Sequence, residues 1–139
     1  MSVRSFIDTN VLVYADSSDT PEKQHRAVDL IHAHHIAGSG VLSTQVLQEF
    51  TATALRKLLM PPAVIHERLD FFAGFEIVNS SPLLISQALQ VKVRWNLSFY
   101  DALIVQAAIQ SGCAELLTED LQHGAIMAGV KVVNPFKSI

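Results

Sequence analysis

Short apolar segments alternate with longer segments of helical periodicity along the chain. The apolar and β-branched segments predict five strands, over residues 3–7, 41–43, 75–78, 115–118 and 130–133. A segment with helical spacing or helix-capping residues stands between each strand and the next. This alternation predicts a three-layer α/β/α sandwich around a mostly parallel sheet of about five strands.

Capping and breaking residues mark the ends of the predicted helices. Thr20, followed by Pro21, is predicted to open one helix, and Thr44 is predicted to cap the next. Three further helices are predicted over residues 63–72, 83–95 and 100–110. A last short helix is expected to follow Asp120 and to end near Gly129.

Composition limits the class of protein. The 139 residues are 50% hydrophobic, which is enough for one domain over residues 1–139 to bury a core without disulfides. One cysteine and no apolar run of about 20 residues predict a cytoplasmic protein with no membrane segment. The formal charge of −3 means that a polyanionic ligand would require local basic residues or bound cations.

Two aspartates follow predicted strands. Asp8 stands at the carboxyl end of the first, and Asp120 lies just beyond the fourth. Ligands of open parallel sheets bind outside the carboxyl ends of strands where the strand order reverses. Both acids would therefore face one cleft if the first and fourth strands are neighbours at such a reversal. For each aspartate alone, capping of a following helix is the simpler interpretation.

Two further acids lie on predicted helices. Glu49 stands at the margin of an apolar stripe, and solvation at the surface is the simpler interpretation for it. Asp101 is the third residue after Ser98, so the two could form a capping pair without catalytic meaning. If all four acids converge, their mutual repulsion would require hard divalent cations to neutralise them.

The motifs around these acids, in this order and spacing, resemble those of PIN domains, particularly the VapC-type toxin ribonucleases. They are "FIDTNVLVY", "TQVLQEF", "SFYDALIVQAA" and "LLTED". The resemblance covers the chain from Phe6 to the last predicted strand. It implies the strand order 3-2-1-4-5 within the predicted sandwich.

The resemblance also implies a set of site residues. Four acids would be catalytic and would bind Mg²⁺ or Mn²⁺: Asp8, Glu49, Asp101 and Asp120. Asn10 would orient the first aspartate, and Thr118 would place its hydroxyl near the last acid. Glu119 is the weaker candidate for the fourth acid, because the family pattern places an aspartate two residues after the threonine.

The implied function is metal-dependent endoribonuclease activity on RNA, with the protein acting as the toxin of a type II toxin–antitoxin pair. Its implied partners are an antitoxin protein and a second copy in a homodimer. Two alternatives stay open. A haloacid-dehalogenase-type phosphatase would require a second acid where Asn10 stands, and a PIN-like module could bind RNA or protein without cleaving it.

Four basic residues could contact phosphates, although solvated helix faces explain them equally well: Arg56, Lys57, Lys92 and Arg94.

Overall fold

The computed structural model describes residues 3–139, whose centre is one six-stranded sheet. Its strands are β1 (Ser5–Ile7), β2 (Gly40–Ser43), β3 (Glu76–Val78), β4 (Glu115–Leu117), β5 (Ile126–Met127) and β6 (Val130–Val133). They lie in the order β3-β2-β1-β4-β6-β5. All adjacent pairs are parallel except β5 and β6, which are antiparallel.

Six helices accompany the sheet in the described residues. They are α1 (Thr9–Ala15), α2 (Pro21–Ala37), α3 (Thr44–Arg56), α4 (Pro62–Phe72), α5 (Pro82–Trp95) and α6 (Phe99–Gln110). Helices α5 and α6 pack on one another, with α6 against β1, β2, β4 and β6, while α1 packs with α2 and α3. The predicted α/β sandwich is confirmed. No helix among residues 3–139 has the length and apolarity to cross a membrane.

The core lies where the central strands meet α1, α3 and α6. Phe6 and Ile7 of β1 are fully buried, as are Leu12 of α1 and Phe50 of α3. Because the central strand is covered on all sides, its carboxyl end is fixed within the protein rather than on a mobile loop. Residues that directly follow β1 therefore occupy well-defined positions.

The sequence-based prediction was wrong after Asp120, where no helix forms. Residues 126–133 instead fold into a hairpin whose second strand, β6, is the predicted fifth strand. The turn residues Ala128 and Gly129 have φ angles of 49° and 85°. Two consecutive residues with positive φ match the twist of a tight hairpin, so the short strand β5 adds an edge to the sheet.

The helix caps differ from the prediction at one position. Ser43, and not Thr44, is the N-cap of α3, and its Oγ accepts a hydrogen bond from the Val46 amide at 3.3 Å. Thr44 instead bonds to Ser80. Thr20 does occupy the N-cap position of α2, but its side chain makes no capping hydrogen bond.

Replacement of the α3 cap should destabilise the fold. In Ser43→Ala the buried amide of Val46 loses its acceptor, so the free energy of unfolding should fall by about 1 kcal/mol. Thr20→Ala is the matched control at a cap position without a capping bond, and it should change stability by less than about 0.5 kcal/mol. Urea unfolding measures both values, and equal losses would contradict the assignment of Ser43.

Candidate active site

Two aspartates meet at the point where the strand order of the sheet reverses. The chain builds β1, β2 and β3 towards one edge and then places β4 on the other side of β1. Asp8 directly follows β1, and Asp120 lies three residues beyond β4. Because β1 and β4 are parallel neighbours, the sequence-based condition for a shared cleft is met.

Asp8 is both a helix cap and a buried member of this site. Asp8 is only 5% exposed to solvent. The Oδ1 atom accepts a hydrogen bond from the Thr9 amide at 2.7 Å, which caps α1. The Oδ2 atom accepts one from the Thr118 hydroxyl at 2.9 Å. Capping therefore occupies only one carboxylate oxygen, and the other is directed towards β4.

The surroundings of Asp8 disfavour its ionised form. The pKa of its carboxyl is raised from 3.8 to about 7, chiefly by burial and to a smaller extent by the neighbouring carboxylates of Asp120 and Glu49. Hydrogen bonds from Thr118 and Thr9 oppose this shift. A bound cation would favour the ionised form, since it would offset both the desolvation and the repulsion.

Asn10 links the two aspartates. Its Nδ2 atom lies 3.5 Å from Asp8 Oδ2, 3.0 Å from Thr118 Oγ1 and 3.1 Å from Asp120 Oδ2. The Asp120 amide also donates to Thr118 Oγ1 at 3.0 Å. Asn10 and Thr118 were both singled out in the sequence, and the structure brings both to the aspartates.

Glu49 reaches the same site from α3. Its Oε1 accepts a hydrogen bond from the Thr9 hydroxyl at 2.7 Å, and its Oε2 lies 3.4 Å from Gln45 Nε2. Thr9 and Gln45 were not predicted to belong to the site. Their positions in the sequence could nevertheless have indicated a place in the site, because Thr9 follows Asp8 directly and Gln45 precedes Glu49 by one helical turn.

Within residues 3–139, no hydrogen bond joins the side chain of the fourth predicted acid, Asp101, to the residues around the other three. Asp101 lies in the first turn of α6, where its backbone amide donates to Ser98 Oγ at 3.1 Å. The preceding carbonyl, of Tyr100, accepts a hydrogen bond from Gln45 at 3.2 Å. Gln45 thus holds the beginning of α6 close to α3. Asp101 itself is absent from the cleft wall that Glu49 and Asp120 share.

Glu119 is engaged by a different set of groups. The Tyr14 hydroxyl donates to its Oε1, and Lys23 Nζ lies 3.1 Å from its Oε2. Lys23 also lies over the Tyr14 ring, 4.9 Å from its centroid. Glu119 shares the cleft wall with Asp120, but an ion pair already neutralises its charge.

The donor chemistry of this cleft fits a hard divalent cation. Carboxylate oxygens are the ligands that Mg²⁺ and Mn²⁺ prefer, and three acids influence one another here. Within residues 3–139, no three Asp, Glu, His or Cys side chains already stand in position to hold one ion. Binding of a cation would therefore require these carboxylates to move closer to one another.

Comparison with known proteins identifies the family. A model of the PIN domain matches residues 5–126, so the chain belongs to the PIN domain family. The matched region includes all four predicted acids. No curated protein matches the sequence significantly.

Several solved structures share this fold. A toxin–antitoxin complex from Klebsiella pneumoniae superposes with a TM-score of 0.69 at 20% identity, covering 95% of this chain and 98% of that chain. VapC20 from Mycobacterium tuberculosis, a sarcin-ricin loop cleaving toxin, gives 0.66 at 19% identity, covering 81% and 86%. VapBC2 from Rickettsia felis, bound to a promoter DNA fragment, gives 0.66 at 16%, covering 92% and 96%.

Without divalent cations, the stability of the protein should fall as the pH rises from about 4 to about 7. In this range folded Asp8 retains a proton that the unfolded chain has released, so each pH unit should lower the free energy of unfolding by up to about 1.4 kcal/mol. Above pH 7 this contribution should become constant, because Asp8 is then ionised in both states. Urea unfolding in EDTA across the pH range measures it.

The Asp8→Asn variant is the control for this pH dependence. It lacks the titrating group, so its stability should decline less over the same range, and Mg²⁺ or Mn²⁺ should raise its melting temperature less than that of the parent protein. Identical pH slopes for parent and variant would show that other groups cause the decline.

Proposed function

We propose that this chain is a metal-dependent endoribonuclease that acts as the toxin of a toxin–antitoxin pair. The observation that carries the proposal is the grouping of Asp8, Glu49 and Asp120 where the strand order of the sheet reverses, and where burial, with a smaller contribution from the two neighbouring carboxylates, raises the pKa of Asp8 to about 7. A buried carboxylate with two further carboxylates beside it is suited to hold a cation. PIN domain nucleases generally use divalent metal ions.

The proposed mechanism assigns each side chain a limited task. A divalent cation would supply Lewis-acid polarisation of the scissile phosphate and lower the pKa of an attacking water. Asp8 would be the central ligand, because the Thr9 amide and the Thr118 hydroxyl hold its carboxylate in one orientation. Asn10 would orient Asp120 through the 3.1 Å contact with its Oδ2.

Glu49 and Asp101 would complete the ligand set. Glu49 is held by the Thr9 hydroxyl and Gln45, so its carboxylate lies beside the residue that directly follows Asp8. We assign Asp101 to the site because Gln45 also binds the Tyr100 carbonyl beside it. Its contribution would require a shift of its side chain towards the cleft.

The proposed partners follow from the similar structures and the family. Two of the similar structures contain a toxin with its antitoxin, which supports an antitoxin as partner of this chain. RNA is the proposed substrate, since VapC20 is described as cleaving the sarcin-ricin loop. We further propose a homodimer, as the sequence resemblance implies.

The two alternatives differ in what supports them. The family assignment and the amide of Asn10, which contacts Asp8 and Asp120 where a phosphatase would place an acid, both disfavour a dehalogenase-type phosphatase. A PIN-like module that binds without cleaving keeps the same fold. Only an activity measurement separates it from a nuclease.

Loss of a proposed ligand should abolish cleavage and leave the fold intact. Asp8→Asn and Asp101→Asn should each lower single-turnover cleavage of RNA in saturating Mg²⁺ by roughly 100-fold or more, because each removes a charge that would hold the cation. Circular dichroism and thermal unfolding should show a folded protein. Cleavage at the parent rate by either variant would exclude that residue as a ligand.

The same Asp8→Asn variant tests the role as a toxin in cells. Expression of the parent chain alone should slow the growth of a sensitive host, whereas the variant at equal protein level should not. Equal growth with intact cellular RNA would contradict the toxin and leave a housekeeping nuclease. Growth inhibition by both proteins would contradict a mechanism that depends on cleavage.

Asp120 and Glu119 should respond differently to loss of charge. Asp120→Asn should strongly reduce cleavage with little change in melting temperature, because Asp120 is exposed and its amide contact to Thr118 remains. Glu119→Gln should instead lower the melting temperature, since it breaks the ion pair with Lys23, and should retain metal-dependent cleavage. The reverse pattern of cleavage would make Glu119 the fourth acid.

A further inference from the structure

We propose that Arg56 binds a backbone phosphate of the RNA beside the scissile bond. This inference rests on the proposed nuclease function and adds a substrate-binding residue to it. It starts from the wall of the acidic cleft, which Arg56 lines together with Glu49, Glu119 and Asp120. A cation in an otherwise acidic cleft calls for an explanation.

Arg56 lies on the same face of α3 as Glu49. The two residues are seven positions apart, which brings them within about 20° of one another around the helix axis. Ala52 and Thr53 lie between them on the same face and also line the cleft. The side of α3 that carries the proposed ligand Glu49 therefore also carries an arginine, about two turns later.

The charge of Arg56 is free for a ligand. Lys23, the other cation near this cleft, forms an ion pair with Glu119 and a hydrogen bond with Tyr14. Arg56 forms no ion pair with any carboxylate in residues 3–139, and its side chain is exposed. It is thus the cleft-lining cation that a phosphate can reach without displacing another acid.

A purely structural role would explain why position 56 carries a positive charge, but not why Arg56 lines the cleft. A basic residue in the last turn of a helix is favourable because it interacts with the helix dipole. Lys57, the next residue and the C-cap of α3, supplies the same favourable charge. Lys57 lies roughly 80° away from Glu49 around the helix and does not line the cleft. The two cations therefore share a helix end and differ in the surface they face.

The separation along α3 indicates which phosphate Arg56 would bind. Seven residues of helix place Arg56 roughly 10 Å from Glu49 along the axis. With the scissile phosphate at the acids, Arg56 would lie within reach of another phosphate further along the RNA chain. Arginine suits this task, since its guanidinium donates two parallel hydrogen bonds to one phosphate. Such a contact should act on RNA binding more than on the rate of the chemical step.

The test compares Arg56→Gln with Lys57→Gln, which removes the same charge from the adjacent residue. In the cleavage-deficient Asp8→Asn background, Arg56→Gln should weaken binding of a fluorescein-labelled single-stranded RNA about five- to tenfold. The slope of log affinity against log salt should decrease in magnitude by roughly 0.7, the value for one single-strand phosphate contact. Lys57→Gln should change affinity by less than about twofold. Arg56→Lys should restore the salt slope and only part of the affinity.

Cleavage assays in the otherwise unchanged protein complete the test. Arg56→Gln should raise KM and change kcat little, and thermal unfolding should show equal stability for both glutamine variants. Unchanged RNA affinity in Arg56→Gln, or equal losses in both variants, would overturn the proposal. If the parent chain binds RNA through Arg56 but cleaves none, the nuclease proposal fails, and of this inference only the phosphate contact of Arg56 stands. If it binds no RNA, both fail.

Discussion

The site depends on one buried carboxylate, that of Asp8. The fold removes this group from water and offsets the lost hydration with only two hydrogen bonds of normal length from protein donors. Its position at the end of a buried strand leaves Asp8 only 5% exposed to solvent. Desolvation raises its pKa to about 7, in the range where protonation responds to small changes. A nearby positive charge can therefore determine whether Asp8 is ionised, which couples the folded state to cation binding.

Thr118 holds the two sides of this site together. Its hydroxyl donates to Asp8 and accepts from Asn10 and from the amide of Asp120. One donor and two acceptor positions are all that a hydroxyl has, so the hydrogen-bonding capacity of Thr118 is fully used. The side chain is completely buried, which keeps this arrangement free of competition from water. The carboxyl ends of β1 and β4 are thereby fixed relative to one another.

Much of the fold could be predicted from the sequence, because the periodic apolar segments extend over whole elements. All five predicted strands are present, and all five stand in the order 3-2-1-4-5 that the family resemblance implied, with the predicted fifth strand as β6. The hairpin after Asp120 could not be predicted, since an alanine at position 128 gives no signal for a positive φ. The choice of Ser43 over Thr44 as cap was equally hidden, because both can cap and a difference of one residue in the end of β2 decides between them.

The site was predictable where local order along the chain determines direction. Successive side chains of an extended segment alternate between its two sides. Thr118 points inward to Asp8, Glu119 points away to Tyr14 and Lys23, and Asp120 returns to the side of Asn10. The alternation explains why Asp120, two residues after Thr118, and not Glu119 lies on the side of Asp8. The partners of Glu119 come from two helices, α1 and α2, about 100 residues earlier in the chain, so only the folded structure could reveal them.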